Sequence, residues 1–173
     1  MTFFEMTEKR ESCRSYDGAK PVTKEQLMKC VGAARLAPSA CNSQPWSFAA
    51  VNGGERAKKI AKATQTKGLN KFTCDCPAFI VVFEEEATLI GGVKSQKYAE
   101  MDIGIAVAHL CYAALEQGLS TCIMGSFDEN EVLSALGMEN KKIKLILAVG
   151  YAKNDGLRVK KRKDLEEIVT YFE

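Results

Sequence analysis

The chain has 173 residues, of which 46% are hydrophobic and 27% are charged, and its formal net charge is +2. This length suffices for a full hydrophobic core, and we expect residues 1–173 to form one domain. The small net charge argues against nucleic acid as a partner, and no apolar run approaches the roughly 20 residues that span a bilayer.

The first half of the chain alternates helical and strand patterns. Thr23 and Gln26 form a capping box ahead of helically spaced apolar residues, and Pro38 ends that helix. The predicted elements of this half are a helix over 5–10, a helix over 23–36, a polar loop over 38–45, a strand over 46–51 and a helix over 55–65.

The second half is organised around a long apolar helix. This helix is hydrophobic on nearly all sides between Ile103 and Leu115, which predicts that a sheet covers one side and another subunit the other. The predicted elements are a loop over 66–77, a buried strand over 78–83, the apolar helix over 97–117, a short segment over 120–124, a helix over 128–136, a buried strand over 143–151 and a final short helix that begins at Asp164. Together they predict a layered mixture of helices and strands.

The sequence offers few residues for acid-base, nucleophilic or metal chemistry of its own. His109 is the single histidine, and its place in the apolar helix indicates a buried or interface side chain. A zinc site is not expected without a second histidine or a CxxC pair, and the motifs GxSxG, GxxxxGK[ST] and GxGxxG do not occur. Seven cysteines, an odd set, favour reduced thiols and a cytoplasmic location. Such a chain either performs no chemistry or relies on a cofactor.

Three separated polar clusters favour the cofactor. The segment from Arg10 to Arg14 places two guanidiniums and a hydroxyl within five residues, a set that suits phosphate and the carbonyl edge of a flavin. The loop over 38–46 combines prolines with short hydrogen-bonding side chains, and a basic run covers 160–163. Each cluster alone also fits an ordinary solvated surface or a capped loop.

In this order, the clusters resemble the nitroreductase family over nearly the whole chain. The family's R-x-S-x-R segment is matched by Arg10, Ser12 and Arg14, and its specific A-P-S-x-x-N-x-Q-P-W string by residues 37–46. Weaker matches follow in order: G-L-x-T-x-x-x-G over 118–125, V-G-Y over 149–151 and K-x-R over 160–162. A chance match of the whole series is improbable.

The resemblance implies an α+β fold with three layers, α/β/α, in which helices flank a central, mainly antiparallel sheet. It implies an intertwined homodimer with FMN at the subunit interface. The implied activity is ping-pong electron transfer from NADH or NADPH to a small acceptor such as a nitroaromatic or a quinone. The flavin N5 would carry the chemistry, and no side chain would be catalytic. The short stretch over 84–96, ahead of the central helix, favours the alternative of a non-catalytic flavin-binding or flavin-carrying module.

The resemblance also implies roles for individual residues. The FMN phosphate would be held by four residues, Arg10, Ser12, Lys160 and Arg162. Arg14 would lie toward the pyrimidine side of the ring, where a fixed cation favours the reduced flavin. Asn70 and Lys71 match by position rather than by motif, as further ring contacts. Glu11 is unfavourable beside a phosphate unless its side chain points away.

The remaining implied contacts come from two loops. The partner subunit would contribute the polar loop, through Pro38, Ser39, Ala40, Asn42 and Gln44. Backbone amides at Met124 and Gly125 would face the flavin N5, and a donor there orients the atom that exchanges hydride.

Overall fold

The computed structural model describes residues 1–154 and 156–173, and within them the chain forms six α-helices and four β-strands. The helices are α1 (Phe3–Lys9), α2 (Lys24–Arg35), α3 (Gly54–Ala63), α4 (Ala99–Glu116), α5 (Glu129–Leu136) and α6 (Leu165–Ile168). The strands are β1 (Trp46–Asn52), β2 (Ala78–Glu84), β3 (Ser120–Met124) and β4 (Lys142–Gly150). No helix in these ranges has both the length and the apolar character needed to cross a membrane.

The four strands form one antiparallel sheet in the order β1-β2-β4-β3. Side chains of β2 alternate between its two faces. Ile80 and Val82 pack with α2 and α4, whereas Phe79 and Val81 pack with α3 and α5. Both faces of the sheet are therefore covered by helices, which confirms the three-layer α/β/α arrangement.

Helix α4 is enclosed on one side only within a protomer. Its inner residues, including Ala106 and Leu110, are fully buried against the sheet and α2. Its outer face carries Met101 and Ile105, which are 59% and 39% exposed. This face and α1 together line an apolar groove that also includes His109. The helix is apolar all round, as the sequence indicates, but a single protomer covers half of it.

The end of β4 explains the glycine of the V-G-Y sequence. A Cβ atom at Gly150 would lie 2.8 Å from Cδ of Pro77 and 2.9 Å from Cδ1 of Tyr16. The Tyr16 ring is 2% exposed, and its hydroxyl donates to the Ala148 carbonyl at 3.2 Å. The N-terminal segment, residues 10–17, approaches β4 this closely because position 150 has no side chain.

Replacing Gly150 with alanine should lower the free energy of unfolding by about 1–3 kcal/mol, because two rigid rings would have to move to admit the methyl group. Denaturant unfolding measures this change. Gly32→Ala, in α2, is the matched control: its added Cβ meets nothing within 4 Å, so it should stabilise the helix by about 0.5–1 kcal/mol. A Gly150→Ala protein as stable as wild type would contradict the packing argument.

Candidate functional site

A cavity of about 700 Å³ opens between the N-terminal segment, the C-terminal half of α4 and the chain that leaves β4. The described residues that line it include five cationic side chains and two carboxylates: Lys9, Arg10, Arg14, Lys20, Arg158, Glu11 and Asp17. Cys111, Leu115 and Leu119 add apolar surface to its wall. Because cations outnumber carboxylates in this lining, the cavity suits an anionic ligand that also has an apolar part.

The N-terminal segment is held in place by backbone pairing with the sheet. Ser12 forms a parallel bridge with Thr121 at the edge of the sheet, and the Cys13 N–H donates to the Thr121 carbonyl at 2.9 Å. Further along, the Asp17 N–H donates to the Tyr151 carbonyl at 2.9 Å. Cys13 is 7% exposed, whereas the next residue, Arg14, presents an exposed side chain at the cavity.

The C-terminal tail returns to this segment through Arg158, a residue that the sequence analysis did not identify. Its guanidinium donates to the Ser12 carbonyl at 2.6 Å, and its Nε lies 3.4 Å from Oε2 of Glu11. The Arg158 backbone N–H donates to the same carboxylate oxygen at 3.2 Å. The negative charge of Glu11 is therefore paired with Arg158, which removes the objection to an acid at this position.

The two tail cations that the sequence analysis predicted for the site, Lys160 and Arg162, lie in different places. Lys160 Nζ donates to the carbonyl of Glu8, beside the N-terminal segment. Arg162 donates to the carbonyl of Lys161, and the described lining of the cavity includes neither Lys160 nor Arg162. Cations stand at tail positions 158 and 160–163, so the sequence alone could not show which of them meet the segment.

The predicted partner loop, residues 38–44, lies at the other end of α4. The Ala40 N–H donates to Oδ2 of Asp102, in the first turn of that helix, at 3.1 Å. The cavity instead meets α4 at Cys111 and Leu115, about 14–20 Å further along the helix axis. Within one protomer, the structure therefore separates this loop from the cations.

The loop over 38–44 has an unusual backbone. Cys41, Asn42 and Gln44 have φ angles of 51°, 51° and 48°. This left-handed conformation costs L-residues other than glycine about 1–2 kcal/mol each. The Ser39 hydroxyl accepts from the Gln44 N–H at 2.9 Å, which helps to fix the loop. Backbone strain of this kind is often found in segments that bind ligands.

Met124 and Gly125, the residues predicted to face the flavin N5, lie apart from both the cations and the loop over 38–44. Met124, at the end of β3, is 3% exposed, and Gly125 is exposed. Gly125 lies about 13 Å along the strand direction from Thr121, which lines the cavity. The side-chain nitrogen of Asn70 donates to the carbonyls of Thr64 and Ser126 at 3.0 and 3.3 Å. The Asn70 side-chain nitrogen is therefore used within the protein, where it connects its own loop to the segment after β3.

Lys71 follows Asn70 at the start of a short 3-10 helix, and its side chain is exposed. His109 is also exposed, on the outer face of α4, where its Nδ1 lies 2.9 Å from the Ile105 carbonyl. In the protomer it is thus a surface residue of the apolar groove, not a core residue.

The side chains at the cavity are suited to binding rather than to nucleophilic attack. All seven cysteines lie within the described ranges and are free thiols. Burial raises the pKa of the Cys13 and Cys111 thiols above the usual value, so both are protonated near neutral pH and weakly nucleophilic. Over residues 1–154 and 156–173, no cluster of three or more His, Cys, Asp or Glu is arranged to hold a metal ion.

Comparison with known proteins gives a consistent set of relatives. Residues 7–151 match the model of the nitroreductase family. An oxygen-insensitive NADPH nitroreductase of Helicobacter acinonychis is 24% identical over 97% of this chain and 95% of its own length. An iodotyrosine deiodinase of Drosophila melanogaster is 25% identical over 98% of this chain and 69% of its own length. A protein of Exiguobacterium sibiricum, crystallised in complex with FMN, shares the fold with a TM-score of 0.80 and 21% identity, covering 99% of this chain and 97% of that one.

Proposed function

The chain belongs to the nitroreductase family, and from this premise we propose that it is an FMN-dependent oxidoreductase. It takes electrons from NADH or NADPH and passes them to a small acceptor such as a nitroaromatic or a quinone, the two substrates using the same site in turn. The observation that carries this proposal is the cation-lined cavity beside the N-terminal segment. FMN in a protein of the same fold and the NADPH-dependent relative support it.

The residues at one end of the cavity fit a flavin phosphate. Arg10 and Arg158 bring two guanidiniums to this wall. Ser12 accepts from Arg158 through its carbonyl but is not among the described residues that line the cavity. Charge-assisted hydrogen bonds from guanidiniums are the contacts that a phosphate dianion favours. Lys160, held beside Glu8, adds a further positive charge close by. The pairing of Glu11 with Arg158 keeps the tail in place over the segment.

When bound, FMN supplies the two-electron chemistry that the side chains lack. Arg14 would hold its positive charge beside the pyrimidine edge of the ring, where reduction increases negative charge. Leu115 and Leu119 provide apolar surface on which part of the ring system would exclude water. The Gly125 amide would donate to the ring and orient it for hydride exchange.

We place the second half of the site on a partner subunit, in a homodimer. The outer face of α4 is uncovered, and the tail residues Tyr171 and Phe172 are 81% and 83% exposed. Exposed apolar surface of this kind marks an interaction site. If two copies of α4 pack antiparallel about a two-fold axis, the loop over 38–44 at the start of one helix approaches the cavity at the end of the other. That arrangement joins the residues that one protomer keeps apart.

The purified protein should be yellow or take up added FMN, and either NADH or NADPH should bleach the flavin absorbance under anaerobic conditions. A nitroaromatic or quinone should then restore the colour. Colourless protein that does not bind FMN would contradict the proposal. Protein that binds FMN but reacts with neither nicotinamide would instead be a non-catalytic flavin carrier.

Arg10→Ala should weaken FMN binding by about 1.5–3 kcal/mol, because one hydrogen bond to a charged group is lost. Quenching of flavin fluorescence gives the Kd. Lys62→Ala, which removes an exposed cation from α3 on the opposite layer, is the control and should leave the Kd unchanged. Equal affinity for Arg10→Ala and wild type would show that the phosphate binds elsewhere.

Subunit complementation tests whether the site is shared. Arg10→Ala alters the cation side and Asn42→Ala alters the loop side, so each homodimer should bind FMN weakly. In a mixed dimer, one site combines both defects and the other combines two intact halves. Co-refolding of the two variants at equal concentration should therefore restore about one quarter of the tight sites.

The matched control is co-refolding of Arg10→Ala with Arg14→Ala. Both of these changes lie on the cation side, so the mixed dimer contains no intact site and tight binding should stay absent. If Arg10→Ala and Asn42→Ala also fail to complement each other, the site lies within one subunit.

A further inference from the structure

We propose that Asp102 is a positioning residue that holds the 38–44 loop in its flavin-binding shape before flavin arrives. This inference rests on the proposed function, because it assigns a role to a residue behind a proposed flavin-binding loop. Asp102 is 5% exposed and belongs to α4, whereas the loop follows α2. It does not itself face the cavity in the described structure.

The burial of Asp102 calls for a specific partner. In the part of the chain that the structure describes, the salt bridges do not include it. A buried carboxylate without a cation is unfavourable unless hydrogen bonds stabilise its charge. Its Oδ2 accepts the Ala40 N–H at 3.1 Å, and the N-terminal end of α4 adds a favourable dipole. The carboxylate is thus stabilised by the loop, and the loop by the carboxylate.

Asp102 performs the capping that the loop's own sequence does not. Ala40–Asn42 forms a single 3-10 turn, and Ser39 stands at its N-cap without a side-chain capping bond to the turn. The Ser39 hydroxyl instead accepts from the Gln44 N–H at 2.9 Å. The first N–H of the turn would therefore lack an acceptor if Asp102 were absent.

The same bond connects the strained loop to the body of the protein. The Gln44 side-chain nitrogen donates to the Asn42 carbonyl at 3.1 Å, and this bond, like the one from Ser39, stays inside the loop. Of the side-chain hydrogen bonds described for the loop, the one to Asp102 reaches another element. Left-handed residues persist when the surroundings fix them, and a loop fixed in advance loses less conformational entropy when its ligand binds.

Three variants test this role. Asp102→Ala removes the acceptor and should raise the Kd for FMN about tenfold or more, the scale of one hydrogen bond to a charged group. Asp102→Asn keeps an oxygen that can accept the Ala40 N–H and should bind FMN within about threefold of wild type. Glu100→Ala is the control, since this exposed carboxylate lies two residues away in the same helical turn and pairs with Lys144 instead of the loop.

The measurements are the FMN Kd and the visible circular dichroism of bound flavin, at a temperature far below each variant's Tm. A role limited to stability would lower the Tm of Asp102→Ala and leave both flavin signals unchanged, and that result would overturn the inference. Equal weakening by Asp102→Ala and Asp102→Asn would also overturn it. Wild-type protein that binds no FMN would instead refute the proposed function.

A second variant probes the same bond from the other side, in case Asp102→Ala does not fold. Ala40→Pro removes the N–H and leaves the carboxylate. Ser39 already has the extended backbone, φ −145° and ψ 156°, that a residue before proline requires. Ala40→Pro should bind FMN more weakly than Ala40→Ser, which keeps the N–H. Equal affinities for these two would refute the role of the bond.

Discussion

The close packing of the N-terminal segment against the sheet is the constraint on which the candidate site depends. Ser12 pairs with Thr121 at one end, and Tyr16 lies against Gly150 at the other. Backbone hydrogen bonds hold the segment at both ends, from Cys13 to Thr121 and from Asp17 to Tyr151, and the exposed Arg14 side chain lies between them. The guanidinium of Arg14 therefore reaches the cavity without a folded element of its own.

The positive charge of the protein is concentrated at the cavity. The whole chain has a net charge of only +2, yet the described lining of the cavity contains five cationic side chains and two carboxylates. One of those carboxylates, Glu11, is paired with Arg158 and keeps the tail against the segment. Two of these cations are already held in position, Arg158 by Ser12 and Glu11 and Lys20 over the Tyr151 ring, which reduces the cost of ordering them when an anion binds. Net charge describes solubility and long-range attraction, and it gives no indication of such a site.

Two features of the single protomer remain unexplained without a partner subunit. The outer face of α4 and the apolar tail are exposed, and the strained loop over 38–44 lies far from the cations. The proposed isologous interface along α4 would resolve both at once, because a two-fold axis brings unlike ends of the same helix together. In that view Asp102 links dimer geometry to flavin binding, since the helix that would form the interface also fixes the loop.

The sequence by itself determined the elements and the motifs. The continuous apolar run of β2 and the capping box of Thr23 are local patterns, and local patterns specify local structure. The tertiary structure decided which distant residues meet. The tail spacing did not distinguish Arg158 from Arg162, and position in the chain did not show that the Asn70 nitrogen is used within the protein. Such contacts depend on how segments that are remote in sequence lie against each other, and no pattern within either segment contains that information. The contact between Asp102 and the Ala40 N–H is of the same kind, because it joins a helix to a loop about 60 residues earlier in the chain.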